Sequence, residues 1–280
     1  MKGAIVLNRY YSDGGLEYIE SRLKDAFAKK GAALDTLRVF PTLAAAPQEY
    51  SFALFFDKDL PLARFLEANG VRLFNSAAAV EICDDKEKTY SALRGLPVPL
   101  PDTVFAPLMY ETVDNYDGGF LDFAAKTLSF PVVVKENRGS RGMQVYLAKN
   151  AAELKNLYGA LKKRPHHYQR FYGERGRDLR VYVIGGEPVA ALARENTTDF
   201  RANAALGSIS RLVDPPAKIA DCARLIAARL GLEYGALDFS DGGEVFFEAN
   251  SNAYFTAVEG FGVKISELFA DYVLKAVNNA

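Results

Sequence analysis

The chain has 280 residues, enough for one large domain or two to three smaller ones. Hydrophobic residues make up 49% and charged residues 25%, with a formal net charge of −1, so broad binding to nucleic acid or an anionic membrane is set aside. The longest apolar runs, FALFF and FPVVV, are strand-length, and no segment is read as spanning a bilayer.

The first segment alternates strand and helix. GAIVLN (3–8) reads as a buried strand, and Ser12 or Asp13 caps a helix whose apolar residues Leu16, Ile19, Leu23, Ala26 and Phe27 recur at helical spacing. LDTLRVF and SFALFF follow as strands, Pro61 opens a short helix, VRLFN is another strand, and residues 76–94 read as one helix. This alternation predicts a small parallel sheet covered by helices. MKGAIVLNRYY is read as a strand start and not as a signal peptide. Cys83 and Cys222 lack a C-x-x-C spacing, which predicts a reducing, cytoplasmic setting without a disulfide framework.

GLPVPLPDT (95–103) is the most linker-like piece. A middle unit follows: a helix over 121–129, the strand FPVVVKE, a glycine loop, the strand MQVYLA and a helix over 151–161. YQRFY opens a strand-rich part. DLRVYVIGGEPVAALARE reads as a hairpin around Gly185 and Gly186, and helices cover 216–230 and 263–278. Domains are expected at 1–84, 85–168 and 169–280.

Four stretches carry candidate chemistry. In VVVKENRGSRGMQV, a buried strand ends in Lys135, and a loop with Gly139, Ser140, Arg141 and Gly142 follows. Glycines let backbone approach phosphate oxygens, and Arg138 and Arg141 can supply charge-assisted bonds. A Walker A loop and a Rossmann G-x-G-x-x-G are both absent. In HHYQRFYGERGRDLRVYV, an extended segment leads to Asp178, an acid able to hold ribose hydroxyls. His166 and His167 are adjacent, so on a strand they point to opposite faces and do not chelate together. In ALARENTTDFRANAALGS, Arg194 ends a strand and Arg201 and Asn203 lie in a loop, groups suited to phosphate or acyl phosphate.

The fourth is ALDFSDGGEVFFEANSN (236–252), two strands joined by a glycine turn. Alternation places Leu237 and Phe239 on one face and Asp238 on the other. It also separates Val245, Phe247 and Ala249 from Phe246, Glu248 and Asn250. A three-residue loop sets Asp238 opposite Glu248, whereas a two-residue loop breaks that match. Two carboxylates about 5 Å apart repel by roughly 3 kcal/mol at an effective dielectric near 20. A divalent cation reverses that sign, and carboxylates with an amide are hard oxygen ligands of the kind Mg²⁺ takes. A polar, solvent-facing edge is the plain structural alternative.

The order of these pieces, with DKEKTYSAL ahead of them and GRDLRVYVIGGEPVAALAR among them, resembles the ATP-grasp superfamily. Within it the chain is most similar to the RimK-type carboxylate–amine (α-L-glutamate) ligases and their relative LysX, over nearly its whole length and most strongly over 84–252. The resemblance implies an α/β (α+β) fold: an N-terminal Rossmann-like domain and two α+β subdomains clamping ATP.

It also implies roles by position. Lys86 and Lys135 reach the ATP phosphates, and Gly139, Ser140, Arg141 and Gly142 form the loop over them. Gln169, Arg170 and Phe171 make the adenine hinge. Asp178 contacts the nucleotide, and Arg194, Arg201 and Asn203 form the phosphate-side cluster, with Arg194 and Lys135 catalytic. Asp238, Glu248 and Asn250 hold two Mg²⁺ or Mn²⁺ ions. The implied activity joins a small-molecule or peptide carboxylate to an amine, an amino acid such as glutamate, through an acyl phosphate. A phosphotransferase or a nucleotide-binding regulatory module is the alternative. A homo-oligomer is compatible with the family, and no nucleic-acid or membrane partner is expected. Two regions leave the family pattern: RANAALGS, with Leu206 where an arginine is usual, and SNAYFTAVEGFG after the acid strand.

Overall fold

The computed structural model describes residues 2–38, 50–113, 118–173, 176–203, 207–243 and 245–279. The end of the second expected strand, Val39 and Phe40, and the family departure at Leu206 lie outside the described residues.

The N-terminal part runs β1 (Lys2–Leu7), α1 (Gly14–Ala28), β2 (Ala33–Leu37), β3 (Phe52–Phe56), α2 (Leu60–Ala68) and β4 (Arg72–Phe74). The strands form a parallel sheet in the order β2-β1-β3-β4, as the alternation predicts. Its central strands are buried on both faces, which explains their unbroken apolar runs. Ile5, Leu7, Phe52 and Leu54 pack towards α1, and Ala4, Val6, Ala53 and Phe55 towards α2.

The single helix expected over 76–94 is two: α3 (Ala77–Asp84) and α4 (Lys86–Leu93). Asp85 separates them in an extended conformation, and its carboxylate accepts from Glu87 N and Lys88 N. An aspartate that caps a new helix competes with continuation of the old one, and periodicity does not register that. The break leaves Lys86 at the first position of α4.

The middle unit contains β5 (Thr103–Phe105), α5 (Gly118–Leu128), β6 (Val132–Glu136), β7 (Val145–Ala148), α6 (Ala151–Leu161) and β8 (His166–Arg170). Its strands form an antiparallel sheet, β5-β8-β6-β7. By sheet membership this unit runs through Arg170, past the division expected after 168. The rest comprises β9 (Arg177–Ile184), β10 (Glu187–Glu195), β11 (Ile209–Val213), α7 (Ala217–Leu230), β12 (Tyr234–Ser240), β13 (Phe246–Asn250), α8 (Thr256–Gly260) and α9 (Ile265–Asn278). Its antiparallel sheet is ordered β11-β10-β9-β12-β13. The short elements β5, β11 and α8 have no counterpart in the sequence reading.

One face of this last sheet packs on α7 through Val181, Val183, Leu237 and Phe239. The opposite face is divided along its length. Tyr182, Leu192, Tyr234 and Ala236 join the core shared with α1 and the N-terminal sheet. Further along the same strands, at the same alternation, stand Asp178, Arg180, Arg194 and Asp238. The N-terminal domain thus covers the apolar end and leaves the charged end to face the middle unit. Both cysteines are free and buried.

Candidate active site

A cleft of about 860 Å³, open mouth included, lies between the middle and C-terminal sheets. The middle unit contributes Val133 and Lys135 from β6, the glycine loop, Gln144, Val145, and the segment Gln169 to Tyr172. The C-terminal unit contributes Arg177, Asp178, the segment Phe200 to Asn203, Asp238, Phe247 and Glu248. Lys86 enters from α4. The lining is apolar at Val133, Val145, Phe171, Phe200 and Phe247, and densely charged around Lys86, Lys135, Asp238 and Glu248.

The charged floor is a consequence of strand register. Arg194 pairs with Asp178 across β10 and β9, Asp238 pairs with Arg180 across β12 and β9, and Asp238 pairs with Glu248 across β12 and β13. Alternation then puts these side chains in one row. Arg180 clasps Asp238 with two bonds of 2.7 Å, from Nε to Oδ1 and from Nη2 to Oδ2. Arg194 Nε donates to Asp178 Oδ1 at 2.6 Å, and Arg194 Nη2 also lies 3.3 Å from Asp238 Oδ1. Burial pushes the Asp178 carboxyl up to about 6, against the pull of Arg194. Burial also works to raise Asp238, but Arg180 and Arg194 overcome it and hold that carboxyl at about 2.

Asp238 stands opposite Glu248, the pair a three-residue loop would set, but Ser240 N donates to Val245 O and the match comes from a bulge and not from that loop. The face assignment of β13 needs correction. A bulge falls between Asp238 and Phe239, so Phe239 pairs with Phe246 and not with Phe247. One extra residue reverses the alternation beyond it. Phe246 is therefore buried against Phe239, with ring centroids 5.6 Å apart, and Phe247 turns into the cleft. There its ring lies 5.2 Å from Lys135 Nζ.

Two lysines complete the charged end. Lys86 Nζ is 3.3 Å from Glu248 Oε2, and Lys86 N donates to Asn137 O at 3.0 Å, which ties α4 to the end of β6. Burial pulls Lys135 down to about 8, opposed by Glu248 and reinforced by Lys86. Burial works against the Glu248 charge, but Lys86 keeps its carboxyl below the ordinary value.

Of the residues singled out in the sequence, Lys86, Lys135, Gly139, Ser140, Gly142, Gln169, Arg170, Phe171, Asp178, Arg201, Asn203, Asp238 and Glu248 line the cleft. Arg138, Arg141, Arg194 and Asn250 do not, and Arg138 Nε instead lies 3.4 Å from Asp85 Oδ2. Arg194 is buried within the floor, bonded to Asp178 and 3.3 Å from Asp238. Arg141 is bound to Asp13 and Tyr254. Asn250 stands beside Glu248 on β13, its amide donating to Glu248 Oε1 at 3.1 Å. The Arg170 guanidinium is engaged by Asp102 and Thr127 O. Gln169 donates to Tyr90 Oη and Thr103 Oγ1 at 2.9 and 3.0 Å, a bracing role. The histidines do take opposite faces: His166 meets Tyr168 and Arg164 O, while His167 meets Asn137 Oδ1 at 2.8 Å.

Sequence reasoning missed Arg180, Phe247 and Gln144. Arg180 was in view as the third residue of D-x-R. Gln144 Oε1 accepts from Ser140 N at 3.2 Å and braces the glycine loop. Among the described residues, no group of three or more His, Cys, Asp or Glu side chains forms a metal cluster. Asp238, Glu248 and Asn250 offer two ionised carboxylates and an amide, a donor set suited to Mg²⁺ that takes its remaining ligands from water and phosphate.

A family model described as the RimK-like ATP-grasp domain matches residues 83–273. Beta-citrylglutamate synthase B of Danio rerio is 33% identical over 225 residues, covering 78% of this chain and 54% of its own length. N-acetylaspartylglutamate synthase A of Homo sapiens is 30% identical over 235 residues, covering 80% of this chain and 57% of its own. The chain thus spans about half the length of these curated relatives. The crystal structure of a RimK domain ATP-grasp protein from Sphaerobacter thermophilus superposes with a TM-score of 0.72 at 21% identity, covering 98% of this chain and 100% of that one. No helix among the described residues is long and apolar enough to cross a membrane. By the extent of the family match and the identity of its relatives, this chain belongs to the RimK-like ATP-grasp family.

Proposed function

We propose that the protein is an ATP-dependent carboxylate–amine ligase that forms an amide through an acyl phosphate. The observation that carries this reading is the convergence of Lys86, Lys135, Asp238 and Glu248 in one cleft, with Lys86 Nζ 3.3 Å from Glu248 Oε2.

The apolar lining would take the base of ATP, and Lys86 and Lys135 would take its phosphates. A divalent cation held by Asp238, Glu248 and Asn250 would neutralise phosphate charge and spread the charge that develops on transfer. The substrate carboxylate attacks the γ-phosphate, ADP leaves, and an amine displaces phosphate from the acyl carbon. Lys86 and Lys135 orient the polyphosphate. Arg180 and Arg194 keep Asp238 ionised and fixed in rotamer. Gln169 and Asn137 hold the lysine-bearing elements in register. Such a reaction requires positioning and electrostatics more than proton transfer, and no histidine lines the cleft.

Both curated relatives carry glutamate in their names, so glutamate is the first amine to test, with citrate and N-acetylaspartate as first carboxylates. The test measures ADP formation with and without amine, and the mass of the product. An amide formed one-for-one with ADP supports ligation. A phosphorylated product that persists in the presence of every amine would assign phosphotransfer. Tight ATP binding without turnover in any substrate mixture would assign a regulatory module.

A further inference from the structure

Arg141 stands in the glycine loop, yet its guanidinium is engaged by residues remote in sequence. Its Nη2 donates to Asp13 Oδ2 at 2.7 Å and to Tyr254 Oη at 3.2 Å. The guanidinium lies 5.1 Å from the Tyr11 ring centroid and 5.3 Å from that of Tyr254, close enough for attraction to the ring faces. Asp13 is held from every side. Its Oδ1 accepts from Leu16 N at 2.8 Å as the cap of α1, and from Tyr254 Oη at 3.2 Å. Its Oδ2 also accepts from Tyr11 Oη at 2.5 Å.

Tyr254 is fixed as firmly. Its carbonyl accepts from Tyr182 Oη at 2.9 Å, and the preceding carbonyl, of Ala253, accepts from Tyr234 Oη at 2.5 Å. A Cβ on Gly15 would come within 2.7 Å of the Tyr254 ring, so only glycine admits this approach. The next loop residue, Gly142, is tied to the C-terminal unit: Arg201 Nη1 donates to Gly142 O at 2.5 Å. Two consecutive loop residues are therefore anchored to three separate parts of the chain. One anchor lies in the segment after the acid strand, where the sequence leaves its family pattern.

We infer that Asp13, Tyr254 and Arg141 form a latch that seats the glycine loop over the nucleotide phosphates, so that closure requires the N-terminal domain and the turn after β13. The inference rests on the nucleotide reading of the cleft. Arg141 is a positioning residue in this account, and its charge faces Asp13 instead of phosphate.

The test uses the full chain and the variants Arg141→Gln, Asp13→Asn, Tyr254→Phe and the Asp13→Asn/Arg141→Gln double. Asparagine retains the helix cap while removing the charge. In ligand-free protein, amide hydrogen exchange of residues 138–143 is expected to rise at least tenfold in Arg141→Gln and Asp13→Asn, less in Tyr254→Phe, with the double no faster than either single. Unchanged exchange in both charge variants overturns the latch, whether or not the cleft takes nucleotide. In ATP binding, each charge variant is expected to raise Kd five- to tenfold, and the double no further. A loss above a hundredfold in Arg141→Gln with no effect of Asp13→Asn would place Arg141 on phosphate directly and overturn the latch. Absence of ATP binding by the wild type alongside the expected exchange would overturn the nucleotide reading and leave the latch as a loop clamp alone.

Discussion

Arg180 and Asp238 face each other on adjacent strands and share two parallel hydrogen bonds of 2.7 Å, with both side chains largely buried. This fork fixes the carboxylate at the centre of the cleft floor. Removing one partner of a buried pair leaves an uncompensated charge, at a cost of roughly 3–5 kcal/mol. Arg194, 3.3 Å from the same carboxylate, recovers part of that. Arg180→Ala is therefore expected to lower the urea midpoint clearly, and Arg180→Lys by less, because lysine keeps the charge but loses the fork. Equal midpoints for wild type and Arg180→Ala would refute this role.

Lys135 gives the site a pH signature. Burial brings its ammonium down to about 8 in the ligand-free protein. An anionic phosphate favours the charged form, so nucleotide binding raises that value and takes up a proton above pH 8. Affinity is then flat from pH 7 to 8 and falls by up to about tenfold per unit as pH rises further. Lys135→Arg, which stays charged, is expected to remove the slope. Wild-type affinity that stays constant up to pH 10 would count against Lys135 as a phosphate contact.

Gly142 has φ +73°, and a Cβ there would meet Asn203 Oδ1 at 2.6 Å. Both the backbone conformation and the approach of the facing loop require glycine. Gly142→Ala is expected to displace the loop and raise the ATP Kd about tenfold, while global stability falls by only about 1 kcal/mol. Titration of ATP into the two proteins checks this, and equal Kd values would show that the loop does not bear on the nucleotide.

The sequence reading succeeded where one simple period governed the chain. The parallel sheet of the N-terminal part and the hairpin at Gly185 and Gly186 follow from alternation and turn residues. It failed where a local event interrupted the period. The bulge on β13 sent Phe247 to the cleft and Phe246 to the core, and the Asp85 cap cut one expected helix in two. The family resemblance put Arg141 in the loop over the phosphates and Arg194 in the phosphate-side cluster. Their partners Asp13, Asp178 and Asp238 lie 16 to 128 positions away or on a neighbouring strand, and only the folded chain shows that these cations are already matched.

The account stands on Asp238 and Glu248 serving phosphate transfer at one site. Its most direct test compares wild type with Glu248→Gln and Asp238→Asn for ADP and amide formation, using ATP, Mg²⁺, glutamate and a carboxylate pool. Each variant removes one negative ligand with little change of shape, and circular dichroism verifies that the fold persists. The expected result is a rate loss of at least about a hundredfold in both, equivalent to about 2.7 kcal/mol of transition-state stabilisation. Near-normal ADP formation by either variant would contradict it.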